Sequence, residues 1–391
     1  MATKEVYQEP TGQEMAGHRF MKVLPSAYQV FMVEENIPIY RGLGMYDVRQ
    51  LPLAPWKRMG GQGSFIQLDG TAQAGKWGLY AVEVPAGGVL NAERHMYEEM
   101  FLVIEGRGST EVWREGSSKK QTFEWQSGSH FAVPLNTWHR LVNASSSPAL
   151  VVVATTAPSA MELYPSRSFI FESPVEFPDR YDESDDYFKP RDELEPDPLQ
   201  GRAMLRSNLL PDIINCYLPL DNNRAPGFRW ILPQMANGTY FTGFIAEYPV
   251  GRYSKAHYHQ PGAVLICLRG KGYTLNWPVE VGPRPWESGK SHLVQRLDYI
   301  PGGMVSAAPD ARGGNWFHQH FSVGKDLFRI RAIFGGRGGE DGEARASIGT
   351  EIGAGGRALG YPEEDPMIRK MYQEALEKEG AQFDMPEEVY R

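Results

Sequence analysis

The sequence predicts an all-β protein in which one structural unit is written twice. Three observations carry this expectation. The 42 Gly and 29 Pro make about 18% of the 391 residues, against roughly 12% in an average protein, and such an excess fits short strands joined by tight turns. A chain of 391 residues is also too long for one ordinary core and suggests two domains with additions. Most informative is an internal repeat. The segment beginning AVEVPAGG at Ala81 aligns without a gap to the one beginning IAEYPVGR at Ile245, at a constant offset of 164. That offset pairs Glu83 with Glu247, Pro85 with Pro249, Gly87 with Gly251 and His95 with His259. It also pairs Gly106 with Gly270, Gly108 with Gly272 and Trp113 with Trp277.

Each copy reads as strands. Residues 100–104 and 264–268 are apolar runs ended by Gly-x-Gly turns, the pattern of buried strands. A second block follows each: Gly128, Pro134, His139 and Asn143 in copy one, Gly303, Pro309, His318 and Ser322 in copy two. The offset grows from 164 to 175 to 179, which places insertions at 278–297 and around 311–315. Insertions beside a site are expected to shape a pocket rim.

The remaining chain is arranged around these units. Residues 1–75 form an N-terminal arm with strands of its own. The first copy takes 76–160, and an acidic, aromatic linker takes 161–205. The second copy takes 206–335, and a Gly-rich loop with a C-terminal helix takes 336–391. The aromatics Tyr181, Tyr187 and Phe188 favour a linker packed across both copies over a disordered strap. The Gly-rich stretch 335–360 has no Lys-Ser/Thr or strand-to-helix context, so it is neither a P-loop nor a dinucleotide turn. The helix is capped by Asp365, carries Pro366 at its first position and stops at Gly380. Its apolar face is Met367, Ile368, Met371, Tyr372 and Ala375.

Net charge is −8, and residues 179–197 hold nine acids against Arg180, Lys189 and Arg191. The rest is nearly neutral. Without a basic stripe, neither nucleic acid nor an anionic membrane is an expected partner. The two cysteines, Cys216 and Cys267, show no CxxC pattern. Together with a polar N-terminus, they point to a cytoplasmic protein without a disulfide framework or signal peptide.

The chemistry is expected in the histidines. Six of the nine (His95, His139, His257, His259, His318 and His320) lie inside the repeated blocks. Residues i and i+2 of a strand share a face, so His257 and His259 are expected to project together. His318, from a later strand, can complete three nitrogens with open coordination positions.

These spacings resemble the signature of the cupin superfamily, G-x5-H-x-H-x3/4-E-x6-G followed by G-x5-P-x-G-x2-H-x3-N. Copy one matches the second half, with Asn136 in place of glycine, and most of the first half. Glu93 stands where the first histidine belongs, while His95, Glu99 and Gly106 are in place. Copy two has His257-Tyr258-His259 after Gly251, and Ala263 where the glutamate belongs. The resemblance covers about two thirds of the chain. It implies two tandem double-stranded β-helix (jelly-roll) barrels with a metal pocket, and it does not specify a reaction.

The departures shape the functional expectation. Copy two lacks the acidic ligand of oxalate decarboxylases and many manganese cupins. A three-histidine ferrous site, as in cupin dioxygenases, is what the resemblance leaves. His320 is a further candidate, as fourth ligand or as a donor behind the ligands. Copy one presents Glu93, His95, Glu99 and His139, which either bind a divalent metal or hydrogen-bond one another in a vestigial barrel. Glu93 and Glu99 are also candidates for acid or base. Arg329 and Arg331 could hold a substrate carboxylate, and Trp316 with Phe317 could line an apolar pocket. His18, His130 and His292 read as structural.

The leading expectation is therefore a metal-dependent bicupin oxygenase, with Fe(II) foremost, acting on a small organic acid, aromatic acids included. One alternative is a Mn-, Zn- or Ni-dependent decarboxylase, isomerase or hydrolase. Another is a non-enzymatic small-molecule-binding bicupin. A homo-oligomer is expected, because cupin barrels associate through sheet edges.

Overall fold

Strand Glu99–Glu105 is buried on both faces, and the reason lies in what covers each face. Phe101 and Val103 point into a core with Phe65, Tyr80, Val82, Val112, Phe131, Val151 and Val153. Met100, Leu102 and Ile104 point the other way, into a second cluster. There they meet Ile231, Ile245, Val264, Ile266, Met304 and Ile333 of the second copy. The two barrels thus press their large sheets together, which explains why the central strands are continuous apolar runs rather than alternating ones. The computed structural model describes residues 25–68, 76–198, 201–259, 263–307, 315–335 and 349–391.

Each barrel is a large sheet facing a small one. The first large sheet runs Ile39–Gly42, Gly61–Leu68, Gly78–Val84, Ala149–Thr155, Glu99–Glu105, His130–Val133, Leu209–Leu210. Its small sheet is Trp138–Val142, Arg107–Trp113, Gln121–Gln126. The second large sheet runs Leu194–Pro196, Ala203–Arg206, Arg229–Gln234, Phe241–Tyr248, Phe328–Gly335, Ala263–Arg269, Met304–Ala307, Gly44–Met45. Its small sheet is Gln295–Tyr299, Gly272–Pro278, Trp316–Ser322. The edges are exchanged. Gly44–Met45, from the N-terminal arm, pairs with Met304 and Val305. Leu209–Leu210 pairs with His130 and Phe131 of the first barrel. Each barrel therefore closes one exposed edge of the other.

The repeat holds pair by pair. Leu150 pairs with Glu83, and Arg329 with Glu247. A register shift at Leu150/Val151 recurs at the equivalent strand pair, between Cys267 and Arg269. One register needs correction. Val103 N donates to Ser129 O and Gly128 N to Val103 O, while Cys267 N donates to Gly303 O and Gly302 N to Cys267 O. Gly128 is thus equivalent to Gly302, not to Gly303. Backbone conformation explains it, since Gly128 and Gly302 have φ of 86° and 89°, values an L side chain rarely adopts.

The insertion after Trp277 therefore holds ten residues, because Thr122 pairs with Glu111 and its equivalent Arg296 with Leu275. This insertion docks the C-terminus rather than rimming a pocket. Arg284 donates to the carbonyls of Glu363 (3.2 Å) and Pro362 (3.3 Å), and Trp286 N to Asp365 Oδ2 (2.7 Å). Pro309 and most of 311–315 lie outside the described residues.

The linker packs. Tyr181, Tyr187 and Phe188 are buried in the core of the first barrel, where Phe188 stacks on Phe123 at 4.3 Å. Arg180 beside them pairs with Glu98 and donates to Ala236 O of the second copy (3.1 Å). The helix Pro366–Glu379 has Asp365 as N-cap and Gly380 as left-handed C-cap. It buries Ile368, Tyr372 and Leu376, so Leu376 replaces Met367 and Met371 as an anchor. Among the described residues no helix is long and apolar enough to cross a membrane.

Candidate metal centres

The two sites occupy equivalent positions in the two barrels. Glu93 and His139 form an isolated antiparallel bridge, and so do His257 and His318. The offsets, 164 and 179, are those of the repeat. Neither Glu93–His95 nor His257–His259 lies in a regular strand, contrary to the expectation from alternation; each pair sits on an extended loop pinned by its bridge. The bridge fixes the first residue of the pair against the histidine that follows from the small sheet.

In the first barrel Glu93, His95, Glu99 and His139 offer donor atoms that all lie within 4.8 Å of one another. His95 Nε2 is 3.3 Å, and His139 Nε2 3.6 Å, from Glu99 Oε2. His139 Nε2 is 3.8 Å from Glu93 Oε1. His95 Nδ1 is bonded to Tyr97 O (2.9 Å) and His139 Nδ1 to Thr137 O (3.1 Å). A carbonyl only accepts, so Nδ1 carries the proton and Nε2 turns a lone pair to the centre. His95 Nε2, His139 Nε2 and Glu99 Oε2 are buried without a hydrogen-bond partner. Three such atoms facing one another are costly unless a proton on an imidazole or a bound cation satisfies them.

Electrostatics separates the two carboxylates. Burial alone would raise the Glu99 acid, but the imidazoles of His95 and His139 hold it below the usual carboxylate range. Tyr80 Oη donates to the other oxygen, Glu99 Oε1 (2.7 Å). Burial would lower His139, and Glu99 with Glu93 raises it above the ordinary imidazole value instead. Glu93 stands nearer the surface, with a side chain 12% exposed, and its Oε2 is paired with Arg58. Arg58 also donates to Glu35 Oε2 (2.8 Å).

In the second barrel His257, His259 and His318 form the corresponding group, again with donor atoms within 4.8 Å. Ring centroids are 4.2 Å apart for His257–His318 and 4.7 Å for His259–His318. His257 Nδ1 is bonded to Lys255 O (3.2 Å) and His318 Nδ1 to Trp316 O (3.4 Å), which again leaves Nε2 for a ligand. Burial, then the Arg224 charge and the neighbouring histidines, hold His257 well below the ordinary imidazole value. Burial and His259 do the same for His318. Neutral imidazoles are the form that binds a metal.

The other candidates sort differently. His320 stands beside the trio rather than in it, with Nδ1 3.0 Å from Thr274 Oγ1 and a centroid 6.0 Å from His257. Arg329 and Arg331 do not serve a pocket. Arg329 Nε donates to Glu247 Oε2 (3.0 Å) and Nη1 to the carbonyls of Ile213 and Cys216. Arg331 Nε donates to His130 Nε2 (3.0 Å), across the interface of the barrels. Both are buried in the sheet that joins the barrels, because their strand lies at its centre. Trp316 is half-buried, and its carbonyl is what touches the site. Phe317 belongs to the outer core with Trp277 and Tyr258. His292 is exposed, on a short 3-10 turn. His18 and 336–348 of the Gly-rich stretch lie outside the described residues.

Two residues escaped sequence reasoning. Tyr80 was legible through the repeat, where it faces Phe244. Arg58 lies upstream of the repeated blocks, and only the fold brings it to Glu93.

A family model described as Cupin domain matches residues 80–155. No curated protein matches the chain. Among solved structures, an oxalate decarboxylase of Bacillus subtilis with Mn(II) centres is similar at 10% identity and a TM-score of 0.46, over 76% of this chain and 78% of that one. The oxalate decarboxylase of Lactobacillus farciminis, in complex with formate, is 10% identical at TM-score 0.45, over 75% and 86%. The coconut allergen cocosin is 10% identical at TM-score 0.46, over 75% and 85%. Enzyme and allergen stand equally far away, so this likeness does not choose a reaction.

Proposed function

Because the chain belongs to the cupin superfamily as a tandem of two barrels, we propose that it is a metal-dependent enzyme. It converts a small organic acid without dioxygen, with decarboxylation foremost and isomerisation or hydrolysis as variants, at the centre of the first barrel. The observation that carries this reading is the set of three partnerless buried atoms, His95 Nε2, His139 Nε2 and Glu99 Oε2. A mixed imidazole and carboxylate set can take Mn(II), Zn(II), Ni(II) or Fe(II), so the need for oxygen, and not the donor set, separates this reading from an oxygenase.

A bound divalent ion would supply positive charge against the negative charge that develops on the substrate. The chain's own residues divide the remaining work. Glu99, held ionised by His95 and His139 and hydrogen-bonded by Tyr80, is a ligand and not an acid. Glu93, closer to solvent and paired with Arg58, is the proton carrier. Loss of CO2 breaks a C–C bond and leaves an electron pair on carbon, which takes one proton; Glu93 takes that proton from solvent, leaving hydroxide to add to the CO2 as bicarbonate, and passes it to carbon.

The test is direct. Protein of measured metal content is incubated with a panel of small mono- and dicarboxylic acids, with and without oxygen. CO2 release that is independent of oxygen and lost in Glu93→Gln supports the reading. Metal-free protein as purified, or turnover only with oxygen, overturns it. A second reading rests on a different observation: the second barrel offers three histidines and no carboxylate. Ferrous iron there would make the protein an oxygenase, and stoichiometric oxygen uptake that disappears in His257→Ala would favour it.

A further inference from the structure

His95 and Tyr97 lie nearly face to face, with ring centroids 3.6 Å apart and planes 5° from parallel. Tyr97 grips the same imidazole a second time, because its carbonyl accepts from His95 Nδ1 (2.9 Å). The stack hinders rotation of the imidazole about its Cβ–Cγ bond, and the carbonyl decides which edge turns to the centre. Together they aim Nε2 at Glu99 Oε2, 3.3 Å away.

Tyr97 is held in turn by the linker. Met96 N donates to Ile170 O (2.8 Å), and Phe171 meets the Tyr97 ring edge to face, at 6.2 Å and 89°. Ile170 and Phe171 belong to the linker helix Arg167–Glu172, which buries Ile170. Phe171 also stacks on Phe31 of the helix Ala27–Glu34, at 6.1 Å. The residues after the linker helix brace the other histidine. Asn136 Nδ2 donates to Ser173 O (3.1 Å) and Val175 O (2.6 Å), beside Thr137, whose carbonyl accepts from His139 Nδ1. The repeat sets Pro261 at the position of Tyr97, and proline offers no aromatic ring.

We propose that Tyr97, braced by the linker helix, is a positioning residue for the metal ligand His95. An imidazole already fixed in its binding orientation loses little freedom when it takes an ion, so loosening it costs affinity. The packing of the linker therefore sets how tightly the first barrel holds its metal. This inference rests on the metal-dependent reading of the first barrel and adds to it the part that orients one ligand.

The experiment uses the full chain with His318→Ala, in which the first barrel is the one left to load. Co2+ is titrated, and the visible cobalt spectrum reads both affinity and ligand geometry. Tyr97→Phe keeps the ring and the carbonyl and is expected to keep the parent's affinity and spectrum. Tyr97→Leu removes the stack and is expected to weaken cobalt by roughly 10–100-fold and to shift its bands. Phe171→Leu leaves Tyr97 in place without its edge contact, and a smaller loss of affinity is expected. It also decides the matter should Tyr97→Leu not fold. In a His139→Ala chain, where the second barrel is the one left to load, neither leucine variant is expected to change cobalt binding. A folded Tyr97→Leu or Phe171→Leu protein with the parent's affinity and spectrum overturns the proposal. So does equal weakening in Tyr97→Phe and Tyr97→Leu, or equal weakening in both barrels. A parent that takes up no cobalt overturns this inference and the metal-dependent reading together, whereas a parent that binds cobalt but, loaded with any divalent ion, releases no CO2 overturns the reaction alone.

Discussion

The two barrels put the same backbone to opposite electrostatic use. The bridge Glu93–His139 in one is the bridge His257–His318 in the other. The first barrel surrounds its centre with two carboxylates, Arg58 and Tyr80; the second has three imidazoles and no acid in its donor group. The differences come in matched pairs. Tyr80 and Glu99 are bonded in the first barrel, and both are replaced in the second, by Phe244 and Ala263. A tyrosine hydroxyl buried without its carboxylate would be an unsatisfied donor, so loss of one partner favours loss of the other. Duplication followed by such paired replacement separates two charge states on one scaffold.

The largest expected effect breaks the comparison at its root. If each barrel holds one ion, the purified protein carries two equivalents. His139→Ala should remove one and His318→Ala the other, with the remaining barrel still loaded. Elemental analysis of the two variants checks this. A variant that loses both ions would mean that the centres are coupled, and one that loses neither would mean that the histidines are structural.

The next effect concerns how each barrel is clad. The linker covers the first, and the C-terminal segment covers the second. That segment is anchored by Glu364, whose carboxyl accepts from Tyr253 and from Gln319 Nε2 (3.0 Å). Gln319 sits between His318 and His320. Burial pushes Glu364 from an ordinary value of 4.5 up to about 7, against the hydrogen bonds from Tyr253 and Gln319 and the charge of Arg369, with Asp365 adding a small rise. Tyr390, bonded to Tyr253 Oη (3.0 Å), Tyr361, which donates to Tyr253 O (2.8 Å), and Tyr273 stand nearby. A raised acid binds more protons folded than unfolded, so its contribution is full below the unfolded value and is lost as pH rises through the folded one. The linkage is worth about 3 kcal/mol. Urea unfolding of wild type should therefore weaken relative to Glu364→Gln between pH 5 and 8, and parallel pH profiles would refute the assignment.

Much of this was legible in the sequence, for reasons that also explain what was not. The repeat and the histidine spacing pointed to the residues that the fold brings together in both candidate centres, because those residues sit at fixed positions along single strands and loops. The helix ends at Asp365 and Gly380 were legible because caps are local chemistry. Arg329 and Arg331 misled because alternation says which residues share a face, not what covers it. Here the covering element is the other barrel, through His130. The Gly128 match slipped by one residue because Gly302 and Gly303 are adjacent, and only backbone dihedral angles separate them. Arg58 lies on a turn that only the fold brings to Glu93, a relation that no spacing records.

A smaller effect sharpens the pairing of Tyr80 with Glu99. The hydroxyl fixes one carboxylate oxygen and leaves Oε2 for the ion. Outer hydrogen bonds of this kind are worth roughly 10–100-fold in metal affinity. Tyr80→Phe should cost about that much in the first barrel and nothing in the second. Phe244→Tyr should not improve the second, which has no carboxylate at 263. Metal titrations in His318→Ala and His139→Ala backgrounds isolate the barrels and read each value.

The smallest expected effect tests whether the cladding acts on one barrel only. Asp365 accepts from Met367 N (3.0 Å), Trp286 N (2.7 Å) and Glu287 N (3.0 Å). It thus caps the helix and ties it to the ten-residue insertion that the first barrel lacks. Removing a capping carboxylate costs about 1–2 kcal/mol. Asp365→Ala should loosen the helix, whose Ile368 and Tyr372 pack on Tyr253 and Phe321 beneath the second site. Hydrogen exchange should quicken at Trp316–Ser322 and stay unchanged at Trp138–Val142, the equivalent strand of the first barrel. Equal acceleration in both strands would mean that the interface, with its shared core of Met100, Val264 and Ile333, makes the two barrels one cooperative unit. The difference in chemistry would then rest on local charge alone, without help from the cladding.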